Sequence, residues 1–495
     1  MKRQNGSRGI SGSVLIRLDR SLSWPKDIDT RQPRQKCTMS TILLAGVGPL
    51  PCYRSKTLYG FGIRTWQFLL PFLADGHRVI LVTFEFGQPK DPVQVDYLED
   101  PTTRGDVIHI PLPEPNAENR NDLLARLGGI IQEHRPDCIV TAGSTISSSM
   151  ACGLSADLPI WADLFGDLLA EAQAKSAFAG SEQLNIFHRI YLPILRRGDM
   201  FSSVSDAQRF ATLGQLGILG RLDHHTLGYP FVQNIPCAYD GSTNPGHSQM
   251  VLRGSVVSEE DFVVLCSGGF NTWADVDTLF LGLDTAMAEN PAIHVVVTGG
   301  AITGHHEAGF DRFTFLVNES SHKERYHLIG WVPTEDVDAY MLESDLGVNV
   351  DLSIAETLLG SRNRFLSWIR SELPILTTVV SEISQILHRE GLCFGIDPGN
   401  LEEFRQALLH AADHRKECRE MARQARLYGD ENFTFEATTR PLRQWVTNPK
   451  PAPDTTARRE AQGSLHELDR EIAQWLDERE HPKGILRRIQ RTFSG

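Results

Sequence analysis

Several features that mark other classes of protein are missing from this sequence. The 495 residues contain no run of 18 apolar residues, so no segment has the pattern of a membrane-spanning helix. The eight cysteines form no Cys-x-x-Cys pair, and several lie in apolar runs such as CIV (138–140), as is typical of buried, reduced thiols. Positive charge is not in excess, because the formal net charge is −13. We therefore expect no nucleic-acid partner and a cytoplasmic protein.

The N-terminal segment lacks both periodicity and a signal sequence. Residues 1–38 are polar and basic, and they contain no apolar core of a signal peptide. A strand pattern begins directly after Met39. We expect 1–38 to be either a disordered leader or a mis-assigned start, and a biological start at Met39 is favoured.

The remaining chain has the size and composition of a globular protein with more than one domain. Hydrophobic residues make up 41% of the sequence and charged residues 22%. Continuous apolar runs such as TILLAGV (41–47) are typical of buried parallel strands, and they alternate with amphipathic segments. A loop rich in Gly, Asn and Pro at 228–260 interrupts the alternation, which then restarts. The pattern predicts an α/β fold with two Rossmann-like, doubly wound domains, at 39–235 and 236–430, facing a cleft.

The last segment, 448–495, begins as a Pro-rich linker and continues as a predicted helical tail. Ser464 and Glu467 form a capping box, and the apolar residues of the helix that follows share one face. Residues 481–495 form a basic amphipathic pattern, for which we expect peripheral contact with a membrane or a partner. Packing on the body of the protein and disorder are the alternatives. The apolar face of the first tail helix is Leu465, Leu468, Ile472, Trp475 and Leu476.

Glycine pairs follow two strands of the second half, and a Gly-Trp pair closes a third. Glycines at a strand end let a ligand approach the backbone, and the helix that follows offers free N–H groups to an anion. An ordinary tight turn explains a single Gly-Gly pair almost as well, but three such turns on one sheet edge favour a nucleotide-sugar site. The candidate donor-binding residues are Gly268, Gly269, Asn271, Gly299, Gly300 and Trp331.

The segment AETLLGSRNRF (355–365) combines a carboxylate with two arginines at a helix start. Arg362 and Arg364 are expected to bind a diphosphate with Ser361, because guanidinium groups hold phosphate oxygens by paired hydrogen bonds. Glu356 is expected to accept hydrogen bonds from sugar hydroxyls. The alternative is a surface ion pair between Glu356 and an arginine, which contributes little.

These segments and their order resemble the family-4 retaining glycosyltransferases of the GT-B fold, over about 41–447. The resemblance implies that Glu356 is the first Glu of the family's Glu-x7-Glu element. The second Glu is absent, since Arg364 lies eight residues on, so this chain is a variant. It also implies a crossover helix at 431–447 that returns to the N-terminal domain, and a loop over the donor phosphates that contains Gly60, Gly62 and Arg64.

Asp163 and Asp167 follow a strand end on the acceptor side, where much of that family has a histidine. Either aspartate could orient or deprotonate the acceptor hydroxyl, and capping of the next helix explains them equally well. His224–His225 and His305–His306 are adjacent pairs without ligands at metal-site spacing, so we expect no metal.

The predicted function is therefore a metal-independent glycosyltransferase that uses a UDP- or GDP-sugar and acts on a hydroxyl acceptor, with retention. The nucleotide sugar is a substrate, so no cofactor is expected. The acceptor would be a sugar or a lipid-linked molecule, and attachment to the inner membrane surface through 481–495 is an option. The alternatives are a non-catalytic GT-B protein that binds a sugar or partner, and a nucleotide-sugar epimerase.

Overall fold

The first half of the chain folds around one parallel sheet of seven strands. The computed structural model describes residues 39–53, 58–87, 89–90, 106–154, 156–179, 182–246, 250–301 and 307–456. The strands of this sheet are β1 (Thr41–Val47), β2 (Arg78–Glu85), β3 (Asp106–Pro113), β4 (Cys138–Thr141), β5 (Ile160–Asp163), β6 (Met200–Ser203) and β7 (Val232–Asn234). The helices are α1 (Gly60–Ala74), α2 (Arg120–His134), α3 (Thr145–Cys152), α4 (Leu168–Ala179), α5 (Glu182–Arg197) and α6 (Asp206–Ile218).

The second half forms a parallel sheet of six strands. Its strands are β8 (Phe262–Gly269), β9 (Ile293–Gly300), β10 (Tyr326–Gly330), β11 (Leu346–Asn349), β12 (Ile375–Thr378) and β13 (Phe394–Ile396). Its helices are α7 (Val276–Glu289), α8 (Ala308–Glu319), α9 (Val337–Leu342), α10 (Ala355–Leu359), α11 (Asn363–Arg370), α12 (Glu382–Arg389), α13 (Leu401–Asp413) and α14 (Arg415–Asn432). The chain then continues through α15 (Phe435–Thr438) and α16 (Arg440–Val446).

Both sheets have the same strand order at their centres. The first runs β3-β2-β1-β4-β5-β6-β7 and the second β10-β9-β8-β11-β12-β13, and all pairs are parallel. The order therefore reverses beside β1 and beside β8. In doubly wound sheets ligands bind at the carboxyl ends of the strands at such a reversal. The predicted fold class, two doubly wound sheets followed by C-terminal helices, is confirmed.

Each sheet is covered by apolar side chains on both faces, as the continuous apolar strands predict. One face of the first sheet packs Leu44 and Val140 against Phe68 of α1, and the other packs Leu43 and Ile139 against Ile194 of α5. In the second sheet, α7 and α13 cover one face and α11 covers the other. Four clusters of buried side chains thus hold the two sheets and their helices together.

The sequence did not indicate the edge strand β7, which lies inside the segment expected to be a loop. Its three residues are too short for a periodic signal, and the strand forms because β6 offers an unpaired edge, with Phe201 opposite Val232. The segment at 431–447 is two short helices, α15 and α16. Leu442 and Val446 of α16 pack into the core of the first sheet, and Arg443 pairs with Asp75 at the end of α1.

The start of the expected linker is anchored on the first half of the chain. Asp454 accepts two hydrogen bonds from Arg221, at 2.8 and 3.1 Å, and both side chains are almost completely buried. Asp199 accepts hydrogen bonds from the backbone of Ala452 and the hydroxyl of Thr455. The leader at 1–38 and the tail from 457, including 464–476 and 481–495, lie outside the described residues. Within the described residues, no helix is both long and apolar enough to cross a bilayer.

The pair formed by Arg221 and Asp454 gives a first prediction. Asp454→Ala leaves the buried guanidinium of Arg221 without its carboxylate, so we expect the free energy of unfolding to fall by about 3–5 kcal/mol. Urea denaturation followed by circular dichroism measures this. The control is Glu420→Gln, which removes the exposed ion pair with Arg423 and should change the midpoint little. If Asp454→Ala lowered the free energy of unfolding as little as the control does, the buried pair would not contribute to stability.

Candidate functional site

Helix α1 of the first half and helix α11 of the second half begin beside one another. A Cβ on Gly60, the first residue of α1, would lie 2.4 Å from Nδ2 of Asn363, the first residue of α11. A Cβ on Gly62 would lie 2.1 Å from the carbonyl oxygen of Pro49. Glycine is therefore required at Gly62, where the neighbour is backbone of the same half, whereas the contact at Gly60 shows how closely the two halves approach. Two helix N-termini, each with free N–H groups and a partial positive charge, meet at this point.

The glycine turns at the ends of β8 and β9 form one wall of the candidate site. Gly268, Gly299 and Gly300 have φ angles of 89°, 99° and 138°, which favour glycine. A Cβ on Gly299 would lie 2.4 Å from the carbonyl oxygen of Gly268, so the two turns are packed together. At the neighbouring strand end, the indole nitrogen of Trp331 donates a hydrogen bond to the carbonyl oxygen of Ala301. The three predicted strand ends therefore form one continuous edge.

Arg364 joins this edge from the first turn of α11. Its Nη2 donates a hydrogen bond of 3.0 Å to the carbonyl oxygen of Gly269. A Cβ on Gly268 would lie 3.6 Å from the same nitrogen. Within the described part of the chain, no carboxylate lies at ion-pair distance from this guanidinium. Burial lowers the pKa of Arg364 from its ordinary value. The charge of Asp351 opposes this shift without an ion pair. A partly buried cation that makes no ion pair is a candidate for binding an anion.

Arg362, two residues earlier, has a different environment. It donates to Asp351 at 2.6 Å and to Glu356 at 3.0 Å, and its guanidinium lies over the ring of Trp273. Burial alone would lower the pKa of Arg362, but the two carboxylates outweigh this effect and raise it. The predicted ion pair of Glu356 with an arginine exists, but it is buried. Arg362 is thus paired with two carboxylates, and its expected contact with a diphosphate stays a prediction.

Glu356 is oriented by this network at the start of α10. Burial raises the pKa of its carboxyl group, and the charge and hydrogen bonds of Arg362 oppose the shift. The Asp351 carboxylate was not among the candidate residues, although Asp351 directly follows the largely apolar run LGVNV (346–350), which contains β11. The Ser361 hydroxyl interacts with the thiol of Cys237 in the segment that joins the two halves. Asn271 lies in the turn after Gly269, and its carbonyl oxygen accepts from the backbone of Ala274.

Arg64 and Asp163 lie beneath the cleft rather than in it. Two nitrogens of Arg64 donate to the Asp163 carboxylate at 2.8 and 3.1 Å, and neither side chain is exposed. The hydroxyl of Ser202 and the backbone N–H of Gly143 also donate to Asp163. Each of the two residues therefore satisfies the other's charge in a buried position. The expected contacts of Arg64 with donor phosphates and of Asp163 with an acceptor stay predictions.

The Asp167 side chain caps a helix, which was the alternative interpretation of this residue. One oxygen accepts from the backbone N–H of Ala170 at 2.9 Å, and the other accepts from the amide of Gln215 at 3.1 Å. Asp167 is 6% exposed. Capping explains the contact with Ala170, and the contact with Gln215 joins the start of α4 to α6. A catalytic role of Asp167 stays a prediction.

A buried polar cluster at the ends of β2 and β3 was not predicted. Thr83 donates a hydrogen bond of 2.6 Å to Glu85 and lies 2.7 Å from Nε2 of His109, while the hydroxyl of Tyr53 lies 3.5 Å from Glu85. Burial lowers the pKa of His109 to about 4 and raises the pKa of Glu85. The cluster fastens the segment after β1, which leads to α1, onto the sheet. The sequence did not predict this cluster, because the alternation of apolar residues in a strand does not indicate which polar side chains will meet.

One group of possible metal ligands lies away from this edge. Asp223, His224 and His225 have ligand atoms within 4.8 Å of one another, so a carboxylate does accompany this histidine pair, contrary to the sequence expectation. The group occupies the loop between α6 and β7, at the amino ends of the strands, whereas the glycine turns and Arg364 lie at the carboxyl ends. The pair His305–His306 lies outside the described residues.

Comparisons with known proteins agree on the architecture. No family model and no curated protein matches the sequence. Among solved structures, Anabaena HepE in complex with UDP and glucose has a TM-score of 0.59 at 13% identity, covering 83% of this chain and 100% of that one. Sucrose-phosphate synthase from Thermosynechococcus elongatus has a TM-score of 0.59 at 15% identity, covering 82% and 98%. The trehalose-6-phosphate synthase OtsA has a TM-score of 0.61 at 11% identity, covering 83% and 100%. The chain has the GT-B fold.

The buried His109 gives a prediction about pH. Its pKa is lowered to about 4 from 6.5, so between these values the unfolded chain binds the proton more readily and stability falls as the pH falls. Relative to a His109→Gln variant, we expect the protein to lose about 2 kcal/mol between pH 7.5 and pH 5.0. Urea denaturation at both pH values measures the difference. The raised pKa of Glu85 has the opposite effect on stability, and this effect cancels because both proteins contain Glu85. Parallel pH profiles of the two proteins would contradict the assignment.

Proposed function

We propose that the protein is a glycosyltransferase that transfers a sugar from a nucleoside-diphosphate sugar, of the UDP-sugar type, to a hydroxyl acceptor. The observation that carries the proposal is Arg364. It is a partly buried cation without an ion pair in the described chain, at the point where two helix N-termini and two glycine turns converge. This environment is suited to a diphosphate, since both guanidinium and helix N-termini stabilise phosphate oxygens.

The same edge supports a site for the sugar next to the diphosphate. Glu356 is held by Arg362, which Asp351 holds in turn. In this arrangement Arg362 is a positioning residue, and a Glu356 oxygen accepts hydrogen bonds from the sugar hydroxyls. The glycine turns at the ends of β8 and β9 leave space for the nucleoside, with Trp331 at the adjoining strand end.

The proposed reaction breaks the bond between the anomeric carbon and the diphosphate oxygen, whose electron pair stays on the diphosphate. The acceptor hydroxyl oxygen forms the new bond to that carbon and transfers its proton to a phosphate oxygen. Negative charge grows on the leaving diphosphate, where Arg364 and the N-terminus of α11 stabilise it most. This route needs no separate carboxylate base, in agreement with the buried positions of Asp163 and Asp167. Retention of configuration follows from the resemblance to retaining enzymes.

A ligand panel with a turnover assay tests the function. Thermal shifts are recorded with UDP, GDP and ADP and with their sugars, because a ligand at a hundredfold excess over its dissociation constant stabilises the folded state by about 2.7 kcal/mol. Slow release of UDP from a UDP-sugar without an acceptor supports a transferase. Interconversion of the donor sugar would indicate an epimerase, and binding without turnover would indicate a non-catalytic protein.

Arg364→Ala tests the diphosphate site. Loss of a hydrogen bond to a charged group should weaken UDP binding by roughly 1.5–3 kcal/mol. Folding should survive, because Arg364 makes one hydrogen bond, to the carbonyl of Gly269. Isothermal titration with UDP measures the affinity. The control is Arg389→Ala, which removes an exposed arginine of the same sheet half and should leave the affinity unchanged. Unchanged affinity in Arg364→Ala would reject the assignment.

Glu356→Gln separates sugar recognition from a structural ion pair. Gln keeps the size and one acceptor oxygen but loses the charge, so we expect turnover to fall by about tenfold or more while the affinity for bare UDP is retained. A structural role alone predicts the reverse, a lower melting temperature with turnover unchanged in the folded fraction. Steady-state kinetics, a UDP titration and a melting curve on one preparation distinguish the two results.

A further inference from the structure

Helix α6 turns an apolar face toward solvent. Its buried residues include the polar Gln208 and Thr212. On the opposite side, an arc of about 120° at helical spacing contains no polar residue. A Cβ on Gly214, in the middle of that arc, would have no atom within 4 Å. The arc consists of Ala207, Phe210, Ala211, Gly214, Gly217 and Ile218.

The loop after α6 continues this surface. A Cβ on Gly217 would lie 3.5 Å from Leu222, so the loop adjoins the helix face. Leu227 and Ile218, at 91% and 88%, are the two most exposed large apolar side chains in the described part of the chain, and Phe210 and Leu222 are 62% and 50% exposed. We call Phe210, Ile218, Leu222 and Leu227 the α6 face. The occurrence of four such side chains between residues 210 and 227 distinguishes this region from the single exposed apolar residues found on every protein.

The described chain ends beside this face. Arg221 follows α6 by three residues and holds Asp454 by two buried hydrogen bonds. Residue 464, where the capping box begins, is eight residues beyond Thr456, a distance of at most about 29 Å in an extended chain. Helix α6 is about 20 Å long at 1.5 Å per residue. The segment that starts at Ser464 can therefore reach every part of the α6 face.

We propose that residues 464–476 form a helix that packs on the α6 face through Leu465, Leu468, Ile472, Trp475 and Leu476. A helix of this length is marginal in water unless another surface covers its apolar side. The short tether gives the two surfaces a high effective concentration for each other. A membrane is disfavoured as the occupant, because Glu467, Asp469 and Glu471 outnumber Arg470 in the segment and anionic lipid repels such a helix.

Hydrogen exchange on the full chain tests the proposal. Ile472→Ser with Trp475→Ser should speed amide exchange in the C-terminal half of α6 and in 219–227 by about tenfold or more, since burial of one large apolar side chain shifts an equilibrium by at least that factor. The matched control is Ile485→Ser with Ile489→Ser, in the basic part of the tail, which should leave α6 unchanged. UDP binding, measured in parallel, reports whether the body of the protein remains folded.

A reciprocal experiment changes the face itself. Ile218→Ser with Leu227→Ser should speed exchange in 464–476, whereas Leu281→Ser with Phe315→Ser, at exposed apolar positions of the second half, should not. Unchanged exchange at α6 in the tail variant would overturn the proposal. Protection of α6 that depends on protein concentration would mean that a second copy covers the face, and protection seen only with anionic vesicles would mean that lipid does. Either result would also overturn it.

Discussion

The arrangement of the two sheets depends on the buried pair of Arg64 and Asp163. Arg64 lies in the second turn of α1, and the carboxylate that holds it lies at the end of β5. The same guanidinium donates to the carbonyl oxygens of Ile235 and Pro236, where the chain passes from the first half to the second. Removal of either partner of such a pair leaves an uncompensated buried charge, at a loss of about 3–5 kcal/mol. The pair therefore aligns α1, the first sheet and the connecting segment, and with them the position of Gly60 against α11.

Two arginines two residues apart have opposite electrostatic roles because of what surrounds them. Arg362 is neutralised by Asp351 and Glu356, so its charge is used to hold those carboxylates. Arg364 points to carbonyl groups at the end of β8 and keeps its charge available. The helix propensity and the charge of the two residues are the same. Their difference comes from the end of β11, where Asp351 reaches the first guanidinium and not the second.

This contrast marks the limit of what the sequence could predict. The strand at 41–47 was predicted to the residue, because its continuous apolar run encodes burial on both faces. The glycine turns and Arg364 were also predicted, since glycines at strand ends and a basic helix start are local patterns. The pairing of Arg64 with Asp163 was not, because a contact between residues 99 positions apart has no local signature. Asp163 and Asp167 were assigned either to the acceptor or to helix capping, because their strand-end position alone does not separate the two roles.

The two halves also meet beside the turn that joins α10 to α11. The hydroxyl of Ser205, at the start of α6, donates to the carbonyl oxygen of Leu359, directly before the Gly-Ser turn that leads to Arg362. Glu382 of the second half accepts hydrogen bonds from the backbone N–H of Asp206 and from the amide of Asn234. The turn between α10 and α11 is thus positioned by the first half as well as by its own sheet. A ligand that contacts this turn and the start of α1 together binds only when the halves are joined in this way, so its binding energy stabilises that arrangement.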